Sequence, residues 1–148
     1  MKLTKTSAHA ALAMAFLSST RGDQPVQARQ VAEHLGVPTD SALKVLQRLS
    51  RQGLLQSRLG RSGGYRLSRP AAAVTLLQVV ETIDGPITTD MPVSENPDGQ
   101  PCAVGLLRRA CDRSIQRQRE ELGRLTVADL AACNEPDHAS APALTLAG

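Results

Sequence analysis

Residues 37–70, VPTDSALKVLQRLSRQGLLQSRLGRSGGYRLSRP, constrain this chain more than any other stretch. Ala42, Val45, Leu46 and Leu49 form an apolar stripe of helical period, and Lys44, Gln47, Arg48 and Arg51 fall off it. Pro38 is followed by Thr39 and Asp40, both helix N-cap types, so the spacing predicts a helix over 38–52. Gly53 ends it as a left-handed C-terminal residue does. Residues 54–59 alternate loosely as a strand. Residues 60–64 (GRSGG) make a turn in which glycine supplies positive φ, and 65–67 return as a second strand. Helix, strand, basic glycine tip and strand together make a tool for holding nucleic acid.

The segments upstream fit that reading. Residues 6–19 have helical periodicity, with Ala8, Ala11, Leu12, Ala15 and Phe16 expected on the buried face. Residues 27–35 (QARQVAEHL) form a second, shorter helix with Ala28, Val31, Ala32 and Leu35 inward, and Gly36-Val37 is a tight turn. Two short helices joined by a glycine-containing turn are the helix-turn-helix pattern. Charge divides the same way. Residues 1–75 hold eleven Lys/Arg against three Asp/Glu, and residues 76–148 hold six against eleven. A basic first half and an acidic second half argue for a nucleic-acid head and a separate body. With one Tyr, one Phe and no Trp, the core must be aliphatic, which favours helices.

Downstream, Thr75 is placed to cap a helix whose inward side is Leu76, Val79, Val80 and Ile83, and Asp84-Gly85-Pro86 ends it. Residues 88–101 are rich in Pro, Gly and acidic residues and read as a long loop. Residues 102–124 carry the longest helical pattern. Val104, Leu107, Cys111, Ile115, Gln118, Leu122 and Leu125 form a heptad-like seam, and six arginines occupy mainly the other faces. That combination suits a dimer interface. Thr126 opens a last short helix, and small polar residues with two prolines from Asn134 onward read as a frayed tail. The expected organisation is a DNA-binding domain over 1–86, a sensor-region loop over 87–101, a dimerisation helix with a short C-terminal helix over 102–131, and a tail over 132–148. The fold class is mainly α with a small β-wing.

Several residue runs resemble the Rrf-type family of bacterial winged helix-turn-helix regulators, whose members include IscR, NsrR and CymR. They are MKLTK at the start, Val31-Ala32 with Leu35-Gly36-Val37, KVLQRLSRQGLL, SRLGRSGGYRLSRP, VTLLQVVETIDGP and LTVADL. The match runs over about residues 1–131, and the ordered combination is specific. The resemblance implies a homodimeric transcription factor, usually a repressor, with a dimerisation helix after the loop and often a cysteine sensor near it.

A recognition helix sends its N-terminal side chains to base edges in the major groove. Here those are Thr39, Asp40, Ser41 and Lys44, with Gln47 one turn on. Asp40 can accept from cytosine or cap the helix. Arg58, Arg61, Ser62 and Arg66 belong to the wing, and Arg61 at the glycine tip suits a narrow minor groove. Arg48 and Arg51 suit phosphates or solvent. The expected partner is double-stranded DNA with a pseudo-palindromic operator.

Cys102, Cys111 and Cys133 carry the remaining chemistry. Eight residues separate the first two and 21 the last two, wider than the spacing of the cluster-binding members of that family. Three readings stay open: an iron–sulfur cluster held by Cys102 and Cys111 and completed by His9 or a loop carboxylate, a thiol switch, and inert packing. The switch could join Cys111 to its symmetry mate or Cys102 to Cys133. If no cluster is held, no cofactor is expected. An odd cysteine count suits a reduced, cytoplasmic setting rather than a disulfide scaffold. The apolar run near residues 10–17 is short for a signal peptide, and no run reaches the length of a membrane span. No nucleophile–base pair, phosphate loop or H-E-x-x-H motif is present, which argues against an enzyme.

Overall fold

A computed structural model describes residues 3–20, 24–89 and 101–133. In chain order the elements are α1 (Lys5–Ser19), α2 (Ala28–Leu35), α3 (Thr39–Arg51), β1 (Leu55–Arg58), β2 (Gly64–Leu67), a 3-10 turn (Ala71–Ala73), α4 (Leu76–Asp84), α5 (Pro101–Arg124) and α6 (Val127–Ala132). The architecture is mainly helical with a two-stranded antiparallel wing. Residues 90–100, most of the expected sensor loop, and residues 134–148, the expected tail, lie outside the described residues. Among the described residues no helix is long and apolar enough to cross a membrane.

α1 is the central element, packed by α2, α3, α4, α6 and β2. Its start is fixed by Thr4, whose hydroxyl accepts from the Ser7 backbone N–H at 3.1 Å. Its buried side differs from the one the periodicity suggested. Ser7, Ala10, Ala13, Met14, Ala15 and Leu17 are buried, while Leu12 is 45% exposed and Ala8, Ala11 and Phe16 are half-buried. Alanine recurs on every side of α1, so its stripe does not discriminate faces, and the many neighbours around the helix decide which positions are covered.

α2 and α3 bury the sides the sequence suggested. Val31 and Ala32 face inward from α2, as do Ala42, Val45, Leu46 and Leu49 from α3. Between them Gly36 adopts φ 65°, and the Val37 N–H returns to the Ala32 carbonyl at 3.1 Å. This closes α2 in the left-handed manner and swings the chain into α3. Met14, Leu46, Leu49, Val31, Val74, Val79 and Val127 are fully buried together. Each such aliphatic side chain contributes about 1.5–3 kcal/mol by leaving water.

α4 and α6 both open with reciprocal capping boxes, Thr75 with Gln78 and Thr126 with Asp129. The Thr126 hydroxyl and backbone N–H both donate to the Asp129 carboxylate at 2.7 Å, and these bonds hold its pKa below the usual value. The two caps meet. The Leu76 N–H donates to the Leu125 carbonyl at 2.9 Å, and the Val127 N–H to the Val74 carbonyl at 2.9 Å. The chain therefore leaves the head along α5 and returns to it through α6. α5 packs chiefly on α4, and none of its described side chains is fully buried.

Candidate nucleic-acid interface

Because Ala42, Val45, Leu46 and Leu49 lock one side of α3 into the core, its other side is fixed outward. Thr39, Asp40, Ser41, Lys44 and Gln47 are all exposed there. The N-cap of α3 is Pro38, and no side chain caps the helix. Asp40 is therefore not the cap. It stands in the first turn, where a carboxylate suits the positive end of the helix dipole, and its oxygens are left for other partners. Arg48 is committed elsewhere: its Nε donates to the Thr82 carbonyl at 2.9 Å, tying α3 to α4.

In the wing, Gln56 pairs with Arg66 and Arg58 with Gly64, while Leu55 pairs with Leu67 and Ser57 with Tyr65. Alternation along each strand puts Gln56, Arg58 and Arg66 on one face. Arg58 and Arg66 are both exposed, and the Arg66 Nε donates to Gln56 Oε1 at 3.1 Å. On the other face Leu55 is buried, and Tyr65 and Leu67 pack against the core. Val26 adds a short third rung, exchanging backbone hydrogen bonds of 2.8 and 2.9 Å with Tyr65. Arg61 and Ser62 are exposed at the tip, and the Arg61 carbonyl accepts from Gln27 Nε2 at 3.4 Å. The tip is thereby braced against the start of α2 while the guanidinium points outward.

Sequence reasoning missed Leu59. It was assigned to a strand, yet it lies beyond the end of β1 and is 95% exposed between Arg58 and Gly60. The signal in the sequence is an apolar residue directly before the turn glycines; in the structure the register ends at Arg58 and leaves Leu59 no partner position.

The cysteines do not converge. Cys102 is exposed in the first turn of α5, Cys111 is half-buried midway, and Cys133 is exposed at the end of α6. Nine residues along a continuous helix separate Cys102 and Cys111 by roughly 13 Å and half a turn, so they face opposite ways. An iron–sulfur cluster held within one chain by this pair does not fit, because its thiolates must meet at one centre. His9 is half-buried on α1, and among the described residues no three His, Cys, Asp or Glu side chains gather as a metal site. A Cys102–Cys133 disulfide within one chain is also excluded. The run of α5 from Cys102 to Arg124 is about 33 Å, and the short α6 can return only about half of it, whereas a disulfide needs Cα atoms within about 7 Å.

Comparison with known proteins agrees with the mainly helical fold and its two-stranded wing. The family model for Rrf2, described as an iron-dependent transcriptional regulator, matches residues 3–133. The HTH-type transcriptional repressor NsrR of Streptomyces coelicolor is 34% identical over 136 residues, covering 89% of this chain and 89% of that protein. Protein rrf2 of Nitratidesulfovibrio vulgaris is 28% identical over 152 residues, covering 95% and 99%. In fold, the chain is similar to the structure of CymR, the global cysteine regulator of B. subtilis. The TM-score is 0.73 at 24% identity, over 91% of this chain and 99% of that one. It is also similar to T. potens IscR, with a TM-score of 0.71 at 21% identity over 91% and 89%.

Proposed function

The chain belongs to the Rrf2 family of transcriptional regulators, and from that premise we propose that it acts as a homodimer that holds a pseudo-palindromic operator and releases it when its cysteines are oxidised. DNA binding and transcription regulation are properties of the family, and enzymatic activity is not. The observation that carries the residue assignment is the outward face of α3, continuous in sequence with a wing whose exposed face is basic. Thr39, Asp40, Ser41, Lys44 and Gln47 meet base edges in the major groove. Arg61 enters the adjacent minor groove, with Ser62 beside it, and Arg58 and Arg66 hold phosphates. Leu59 adds an apolar contact at the same tip, of the kind minor-groove proteins use. The naming of the Streptomyces coelicolor relative as a repressor supports repression.

Arg61→Ala is the direct test. The side chain projects from a braced tip, so folding is unaffected. Operator affinity measured by fluorescence anisotropy falls by roughly 1–3 kcal/mol, more steeply at low salt, as loss of a groove-inserted cation requires. An unchanged dissociation constant at matched salt would refute the assignment.

For the signal, Cys111 carries the reading. It is the cysteine on the seam of α5, where a two-fold axis would bring it to its own copy. Hydrogen peroxide oxidises the two thiols to one disulfide and is reduced to two waters, with two electrons and two protons transferred. Exposure to peroxide yields a covalent dimer on a non-reducing gel, and Cys111→Ser abolishes it. A dimer that persists in that variant would assign the switch to another cysteine. The family's description as iron-dependent favours the alternative of a cluster shared between subunits. Brown colour with visible absorption after anaerobic purification would select it.

A further inference from the structure

Behind the outward face of α3 lies a cleft of about 400 Å³, formed by the first turns of α1, the α2–α3 turn, the N-terminal half of α3 and the end of α4. Its floor is aliphatic: Val31, Leu35, Val45 and Ile83. Its rim carries three cations, Lys5 from α1 and Lys44 and Arg48 from α3, with His9 of α1 beside them. Among the described residues no aspartate or glutamate lines it. Among the described residues neither Lys5 nor Lys44 has a hydrogen-bond or ion-pair partner, while Arg48 keeps only its Nε occupied, by Thr82. A concave site with an apolar floor, a few polar groups and one sign of charge is the form that small-molecule pockets take. The low-dielectric walls focus the positive potential inside it.

We propose that this cleft binds a small organic anion with an apolar body, of the medium-chain carboxylate class. The chain lies over Val31, Leu35, Val45 and Ile83, and the carboxylate sits between Lys5 and Lys44. The site is tied to the DNA-reading surface through two residues. Ser41 and Lys44 line the cleft and also belong to the outward face of α3. A bound carboxylate neutralises Lys44 and turns it away from the groove, so occupancy weakens operator binding. That regulatory half rests on the DNA-contact reading given above; the binding half does not.

The test uses octanoate with the full chain. Calorimetry without DNA is expected to show saturable binding at one site per chain, and amide shifts concentrate at Thr6, His9, Val37 and Ser41. 1-Octanol, the same body without charge, binds at least tenfold more weakly. Lys5→Gln and Lys44→Gln, both exposed substitutions, each weaken octanoate by about two- to fivefold, as partly solvated ion pairs do. With a fluorescent operator, octanoate lowers the affinity of the unaltered chain, and Lys5→Gln moves that effect to higher octanoate concentration. Equal affinity for octanol, absence of saturation, or shifts confined to the exposed leucines of α5 would overturn the site. Octanoate bound in the cleft with unchanged operator affinity would overturn the regulatory half alone. A chain that binds octanoate but no DNA would refute the DNA reading and leave the site standing.

Discussion

Gly63 and Gly64 show how closely the wing is built backbone to backbone. A Cβ on Gly63 would lie 2.2 Å from the Arg58 carbonyl oxygen and 2.9 Å from that of Gly60. Neither atom belongs to a flexible side chain, so the turn itself must open. Gly64 adopts φ 151°, and its Cβ would lie 2.4 Å from the Val26 carbonyl oxygen. Gly60, by contrast, has positive φ but open space around it. We expect Gly63→Ala to cost roughly 1–3 kcal/mol, from steric clash with backbone, and Gly60→Ala about 1 kcal/mol, from its positive φ alone. Urea unfolding of the two variants checks this, and equal midpoints would refute it. At this scale the turn was legible, because clustered glycines after a basic strand have few other uses. Which glycine is indispensable was not legible, since the neighbour of Gly64 is Val26, 38 positions away in sequence. Of the two roles open to Asp40, capping falls away for a related reason: an N-cap type next to a proline looks like a cap, but Pro38 itself takes the cap position.

Among the elements, α4 is the hub that joins the reading helix to the long helix. On one side Arg48 of α3 donates to the Thr82 carbonyl at 2.9 Å. On the other, Arg119 of α5 is paired with Glu81, and that carboxylate also accepts from the Ile87 N–H at 3.0 Å. Glu81 therefore holds both α5 and the start of the segment that precedes it. Thr89 adds a second tie, donating to Asp112 Oδ1 at 2.6 Å. With Arg119 and Glu81 side chains 35% and 23% exposed, the pair is neither a freely screened surface bridge nor a buried one. A double-mutant cycle with Glu81→Ala and Arg119→Ala should return a coupling of about 0.5–2 kcal/mol in urea unfolding. Strict additivity would show that the contact carries no stability. The caps of α4 and α6 were legible from Thr75 before Gln78 and Thr126 before Asp129, because a capping box is a local device. The Glu81–Arg119 contact was not, since it depends on the angle at which α5 crosses α4. The buried side of α1 was equally out of reach of periodicity, because an alanine-rich helix has no distinctive stripe.

For the whole molecule, α5 is the feature on which the proposed homodimer rests. Its 24 residues span about 36 Å, yet among the described elements it packs chiefly on α4. Leu106 and Leu107 are 58% and 51% exposed, and Leu125 near the other end is 48% exposed. Leu107 and Leu125 fall on the side of the seam, and exposed apolar side chains there suit an interaction surface. The seam through Leu107, Cys111 and Ile115 supplies a self-complementary stripe, which a two-fold axis requires. Leu106 lies about 100° round the helix from Leu107 and nearly opposite Ile115, so it stands outside that seam. Leu107→Lys combined with Ile115→Lys places two charges on each copy opposite like charges. The expected product is a monomer by sedimentation, with helical circular dichroism retained because α5 keeps its anchorage through Glu81 and the Leu76–Leu125 bond. The consequence for DNA follows from linkage. In the proposed homodimer, two heads joined along α5 would engage two half-sites as one event, and separating them would remove an effective concentration that multiplies affinity by roughly 100-fold or more. Operator affinity should therefore fall by about that factor while each isolated head still binds a half-site weakly. A variant that stays dimeric, or a monomer that binds the full operator undiminished, would place the assembly surface elsewhere. It would also remove the symmetry on which a Cys111 switch depends.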